Sequence, residues 1–165
     1  MSAPYARHSM RYPRYDYRLA GGYFVTIALA NREPRFGRVE HGVMAHNTVG
    51  RMVIDVWESL PERYPSVMLD EFIVMPDHFH GIVFLMNHHV NDGVSLSEVI
   101  RVFKSVTTTR YIAGVREHGW PRFDRHLWQP NYYDHIVRND DDLETRRRYI
   151  EGNPARWEAK RRNDL

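Results

Sequence analysis

Two histidines separated by one residue, His78 and His80, stand at the head of the apolar run His80-Gly81-Ile82-Val83-Phe84. Side chains alternate faces along a strand, so both imidazoles point the same way and Phe79 packs on the opposite face. Two parallel imidazoles on a rigid strand form half of a metal site, better held than on a flexible loop. The pair is equally compatible with two histidines at an exposed strand end, so it defines no function alone. Downstream, Tyr149 and Asn153 stand four apart in Arg148-Tyr149-Ile150-Glu151-Gly152-Asn153-Pro154. On a helix that spacing brings a phenol and a carboxamide to one side of one short element. A phenol can serve as a covalent nucleophile, and imidazole and amide groups can hold a divalent ion.

The elements that must position these groups can be read from periodicity. Tyr23-Phe24-Val25-Thr26-Ile27-Ala28-Leu29 reads as a buried strand, closed by the turn residues Asn31-Arg32-Glu33-Pro34. A helix fits residues 46–60, capped by Asn47, with Val49, Met52, Val53, Val56 and Leu60 on one face. Pro61 and Pro65 are expected to stop it. Strands over 67–75 and 78–85 form a hairpin about Pro76-Asp77, and residues 87–93 a polar loop. A second helix fits 95–114 through Leu96, Val99, Ile100, Phe103 and Val106 or Thr107.

A fourth strand is expected over 132–137, and Asn139 can cap a last helix. There Asp140, Asp141 and Asp142 occupy the first turn and Arg146, Arg147 and Arg148 the later turns, which suits the helix dipole. Leu143 and Ile150 mark that helix's buried edge, so Tyr149, one residue off it, can reach a surface site. Proline disfavours helical geometry in the residue before it, which makes Asn153 the expected last residue of the helix. The order β-α-β-β-α-β-α is that of an α+β, ferredoxin-like fold. It has a four-stranded antiparallel sheet, two helices on one face, and a C-terminal helix carrying Tyr149.

Composition sets the bounds. At 165 residues, with 42% hydrophobic, 13% aromatic and 27% charged residues, the chain is globular and long enough for a real core. It divides into a basic, aromatic arm (residues 1–20) and one domain (21–165). There are no cysteines, which excludes disulfides and thiolate metal sites. No apolar run is long enough to span a bilayer, and the N-terminus lacks the hydrophobic stretch of a signal peptide. A cytoplasmic protein with no membrane partner is the expectation.

The net charge is only +2 although the isoelectric point is about 9.0, so distribution matters more than the sum. Arg7, Arg11 and Arg14 interleave with Tyr5, Tyr12, Tyr15 and Tyr17, and arginines load the C-terminal end. Such stretches suit a nucleic-acid backbone with stacked bases, or are simply solvated tails. Lys104 and Arg110 could touch phosphates or be ordinary surface charge. Trp128 and Trp157 could stack on bases or anchor the packing. Tyr132 and Tyr133 are rivals of Tyr149, and His135 reads more readily as a structural hydrogen-bonding residue. His88 and His89 fall in the polar loop.

Taken together, several segments make a resemblance specific. These are Gly22-Tyr23-Phe24-Val25-Thr26, Val74-Met75-Pro76-Asp77-His78-Phe79-His80-Gly81, Leu127-Trp128-Gln129 with Tyr132-Tyr133-Asp134-His135-Ile136-Val137-Arg138, and Tyr149-Ile150-x-x-Asn153-Pro154. In this order they resemble the single-tyrosine histidine–hydrophobic–histidine (HUH) transposases, and most closely the REP-associated tyrosine transposases. The resemblance implies that His78 and His80 are metal ligands, Tyr149 the nucleophile and Asn153 a third, helix-borne ligand. Asp77 replaces an asparagine found in many relatives, and is expected to face away with Phe79.

The implied reaction is metal-dependent cleavage and strand transfer of single-stranded or hairpin DNA through a 5′-phosphotyrosine. The implied cofactor is Mg²⁺ or Mn²⁺, with Mn²⁺ favoured by the imidazoles. By charge and position, Arg7, Arg11, Arg14, Lys104, Arg110 and Arg146 are the expected DNA contacts. A homodimer is compatible with the resemblance, with Tyr149 serving its own site or its partner's. The competing expectation is a catalytically silent, hairpin-binding relative that keeps the fold. A phosphohydrolase using water is a third, weaker reading.

Overall fold

The protein is described by a computed structural model covering residues 21–86 and 93–165. The arm carrying Arg7, Arg11 and Arg14, and the loop histidines His88 and His89, lie outside the described residues. The strands are β1 (Gly21–Ala28), β2 (Gly37–Glu40), β3 (Val43–His46), β4 (Val67–Val74), β5 (His78–Leu85) and β6 (Tyr133–Val137). The helices are α1 (Thr48–Arg63), α2 (Leu96–His118), α3 (Asp140–Glu151) and α4 (Asn153–Asn163).

Four strands form an antiparallel sheet in the order β4-β5-β1-β6, which is the ferredoxin-like arrangement expected from the sequence. The strand alternation decides which layer covers which face. Val25, Ile27, Phe79 and Val83 point to one side and pack with Trp57 of α1 and Phe103 of α2. Phe24, Ile82, Phe84 and Val137 point to the other and are covered by Leu143 and Ile150 of α3. Phe79 therefore lies under the helix pair, while His78 and His80 open onto the α3 side.

The caps follow the sequence. The Asn47 side chain accepts from the Gly50 amide at 2.9 Å, and Asn139 from Asp142 at 2.8 Å. Ser95 accepts from Glu98 at 3.1 Å, and α2 ends at Gly119 in the left-handed region (φ 67°). An ion pair fixes α3 to the sheet. Arg147 donates to both carboxylate oxygens of Asp70 on β4, at 2.7 and 2.6 Å, and to Glu144 at 2.5 Å.

Several expectations need correcting. A hairpin, β2–β3, precedes α1, so His46 ends a strand rather than beginning the helix. Pro61 lies inside the last turn of α1, where the helix runs on to Arg63. α2 extends four residues beyond the expected end, and Tyr132 falls outside β6. Asn153 opens a further helix instead of ending α3. Pro154 occupies the first turn of that helix, where its missing N–H has no intrahelical partner to lose.

Candidate active site

The sheet register builds the floor of the site. Thr26 on β1 pairs with His80 on β5 to one side and Tyr133 on β6 to the other, so the three stand in one row across the open face. His80 Nδ1 lies 2.8 Å from Thr26 Oγ1, and His78 Nδ1 lies 2.6 Å from Asp77 Oδ1. With each Nδ1 engaged, each Nε2 is left for another ligand, an arrangement in which a neighbouring acceptor fixes the tautomer of a metal-binding histidine. Burial pushes the His80 imidazole down to about 3, with help from the charges of His78, Arg156 and Arg32 and against that of Asp77. His80 is thus neutral at physiological pH, the form that a metal requires.

Asp77 does not face away with Phe79. It lines the same pocket as His78, and its second oxygen pairs with Arg32 Nε at 3.1 Å. The alternation rule fails here because Pro76-Asp77 form a bend before β5 begins at His78. Arg32 is presented by the tight turn Ala30–Arg32, in which both Asn31 (φ 59°) and Arg32 (φ 53°) are left-handed.

α3 supplies the opposite wall. Leu143 and Ile150 are buried as expected, and Tyr149 is 42% exposed. Its ring packs edge-on against Phe24 (centroids 5.9 Å) and His80 (5.4 Å), and Phe24 stacks on His80 at 5.4 Å. Asn153 is 7% exposed and lines the pocket with Tyr149. The resulting cavity, of about 890 Å³, is ringed by Arg32, Arg146, Arg156, Lys160 and Arg161.

The structure therefore brings together His78, His80, Tyr149, Asn153 and Arg146 in one pocket. It does not bring Lys104 or Arg110 there, since both lie on α2 beyond the opposite face. The Lys104 ammonium is held by the carbonyls of Gln129 (2.8 Å) and Asn131 (3.4 Å), and burial lowers its pKa. Tyr132 sits beside Lys104, away from the pocket, whereas Tyr133, 57% exposed, lines it. His135 bonds Asp142 at 2.9 Å, the structural role expected of it. Trp128 is a buried anchor whose indole donates to Thr107 at 2.8 Å. The sequence offered no signal for Thr26 or Arg32 as pocket residues, because each depends on register or on a turn, and it marked Arg156 only as one of the arginines loading the C-terminal end.

The donor set fits a divalent ion only if the amide takes part. Among the described residues, no three His, Asp or Glu side chains converge into a metal cage. Two imidazole Nε2 atoms and the Asn153 amide would form a partial, mixed nitrogen and oxygen set with open positions.

A ferredoxin-like sheet with paired histidines facing a helix-borne tyrosine defines the class: an HUH-type tyrosine transposase fold. Residues 42–153 match the family described as Transposase IS200 like, and the chain belongs to that family. It is 35% identical over 165 aligned residues to an uncharacterized protein of Haemophilus influenzae, covering 92% of this chain and 90% of that one. A structure of the REP-associated tyrosine transposase bound to a REP hairpin superposes with a TM-score of 0.59 at 23% identity. That match covers 82% of this chain and 67% of the other. A crystal structure of a candidate transposase from Deinococcus radiodurans R1 gives 0.53 at 18% identity, covering 84% and 92%. Its family makes the protein transposase-type in function, with DNA as the partner class. No helix among the described residues is long and apolar enough to cross a membrane.

Proposed function

We propose that the protein cleaves and transfers single-stranded DNA at hairpin elements through a covalent 5′-phosphotyrosine, with Tyr149 as the nucleophile. The observation that carries this reading is the contact of the Tyr149 ring with His80 inside a pocket ringed by cations. The phenol oxygen attacks phosphorus, the bond from phosphorus to the 3′ oxygen breaks, and the proton lost by the phenol ends on the released 3′-OH. One phosphodiester replaces another, so the bond energy is kept for rejoining. His78, His80 and Asn153 would hold Mg²⁺ or Mn²⁺, whose positive charge would offset charge developing on the phosphate.

Arg146, Lys160 and Arg161 bind the backbone on either side of the scissile phosphate. The arm with Arg7, Arg11 and Arg14 would extend that track to the hairpin stem in a cytoplasmic, DNA-bound protein, whereas Lys104 and Arg110, on the opposite face, would not. The hairpin bound by the structurally similar REP-associated transposase supports this choice of substrate. Tyr149 and His80 meet within one chain, so the site can be completed in cis without a helix from a partner subunit.

The test is a denaturing gel of the protein mixed with labelled single-stranded hairpin DNA from its gene's flanks, in Mg²⁺ or Mn²⁺. A labelled adduct is expected for the wild type and for neither Tyr149→Phe nor His78→Ala. An adduct that persists in Tyr149→Phe moves the nucleophile elsewhere. Free cleaved DNA without adduct makes water the nucleophile, and hairpin binding without cleavage in either metal makes the protein a silent binder.

A further inference from the structure

Gly152, between α3 and α4, has no backbone reason to be glycine. Its φ of −82° and ψ of −2° are ordinary right-handed helix geometry that alanine adopts without strain. Its amide continues α3 by bonding to Arg148 O at 2.9 Å, and its carbonyl starts α4 by accepting from the Arg156 amide at 3.1 Å. The space that a Cβ would take is occupied instead by an arginine. A methyl group there would sit 2.6 Å from Nη1 of Arg156 and 3.3 Å from the Arg148 carbonyl oxygen, so the flexible guanidinium is the group that would be displaced.

Arg156 uses this gap to reach back seven residues, from α4 past Gly152 into α3. Its other terminal nitrogen donates to the Tyr149 carbonyl, and its guanidinium carbon lies 4.3 Å from the centre of the Tyr149 ring. Phe24 and His80 pack edge-on against the same ring. A flat cation over an aromatic face is attractive, and the carbonyl bond fixes the cation's position along α3. The ring is thus held by three neighbours, although its residue is among the exposed ones.

We propose that Arg156 is a positioning residue that clamps the Tyr149 ring in its attacking orientation, and that Gly152 is glycine because the clamp passes through the place of its side chain. This rests on Tyr149 being the nucleophile. In-line attack tolerates little misplacement, so a loosened ring slows the chemical step more than it weakens DNA binding.

The experiment compares wild type with Arg156→Met, Arg156→Lys, Gly152→Ala and the double variant Gly152→Ala/Arg156→Met. The readouts are the single-turnover rate of adduct formation at saturating hairpin DNA with Mn²⁺, the hairpin Kd, the Tm, and the ring NMR signals of Tyr149, assigned from Tyr149→Phe. Arg156→Met is expected to slow the adduct about 10- to 100-fold, with Kd within about threefold of wild type. Arg156→Lys keeps a cation over the ring and recovers part of the rate.

Gly152→Ala is expected to slow the adduct about tenfold without lowering Tm, since the backbone accepts alanine. The double variant should be no slower than Arg156→Met alone, because both changes act on one clamp. The Tyr149 ring signals should move in Arg156→Met and in Gly152→Ala alike.

Rates that multiply in the double variant, or ring signals that stay put, overturn the proposal. So does a loss confined to Kd, which would make Arg156 a phosphate contact. Equal rate losses in Arg156→Lys and Arg156→Met with a matching fall in Tm would make it a purely structural residue. Failure of the function reading looks different: wild type then forms no adduct while the ring signals still shift, which reduces the clamp to packing.

Discussion

Replacing Arg147 by alanine removes the guanidinium that grips Asp70 with two parallel bonds of 2.7 and 2.6 Å. The two side chains are only 9% and 6% exposed, so the carboxylate left behind is buried without its partner. Breaking a buried pair from one side costs about 3–5 kcal/mol, a large part of the roughly 5–15 kcal/mol that holds a domain folded. Only Leu143 and Ile150 of α3 are buried apolar residues. At about 1.5–3 kcal/mol each they contribute about as much as the unpaired Asp70 carboxylate would cost. Orphaning Asp70 therefore offsets most of what these two residues contribute to holding α3 on the sheet.

For a domain of this size that loss corresponds to a fall in Tm of roughly 10 °C. Urea unfolding followed by circular dichroism measures the energy, and hydrogen exchange should show α3 amides losing protection before those of β5. The double replacement Asp70→Leu/Arg147→Leu should restore most of the stability, since a well-packed apolar pair can replace a buried ion pair at little cost. The reasoning is refuted if Arg147→Ala costs less than about 1 kcal/mol, the worth of a surface pair. It is also refuted if the double variant is as unstable as the single one.

Thr26→Val removes the hydroxyl beside His80 Nδ1 while keeping the shape, and should weaken Mn²⁺ binding about 10- to 100-fold by calorimetry. Unchanged affinity would mean the hydroxyl does not orient the ring. Arg146→Ala should weaken hairpin binding across DNA sequences and lower the slope of log K against log salt by about 1; an unchanged slope removes it from the phosphate track. His46 is held below its usual pKa by burial and by Arg51, against its bond to Val74 O. Below about pH 6.5 the unfolded chain therefore binds a proton that the folded chain refuses, so this residue's stabilisation is complete above that pH and is lost as pH falls toward the folded value. His46→Gln should flatten the dependence of the urea midpoint on pH between 5 and 7, and an identical slope would exclude the residue.

What could be read from the sequence had one physical signature. His78, His80, Ile82 and Phe84 share a face by strict alternation, and Leu143, Ile150 and the offset Tyr149 follow helical spacing, so the strand, the helix and the faces that their residues occupy were legible. The β2–β3 hairpin was not, because its strands are only four residues long and Val39 and Met44 are the only large apolar residues they turn inward. Its turn at His41 (φ 52°) and Gly42 (φ 72°) takes two left-handed residues, a geometry usually announced by Asn-Gly. Asp77 was misplaced because alternation stops at a bend, and Asn153 because proline can open a helix as well as end one. The placement of Arg156 over Tyr149 was invisible because the gap it fills belongs to another residue's missing side chain.

The sheet register also bears on when the pocket can exist. Thr26 and His80 are 54 residues apart in sequence, and Asp70 and Arg147 are 77 apart. Contacts of such long range form late, after the chain has closed large loops. A nascent or partly unfolded chain therefore carries paired histidines without the tyrosine opposite them. Under the proposed function, genomic DNA would meet this chemistry only in molecules that have finished folding.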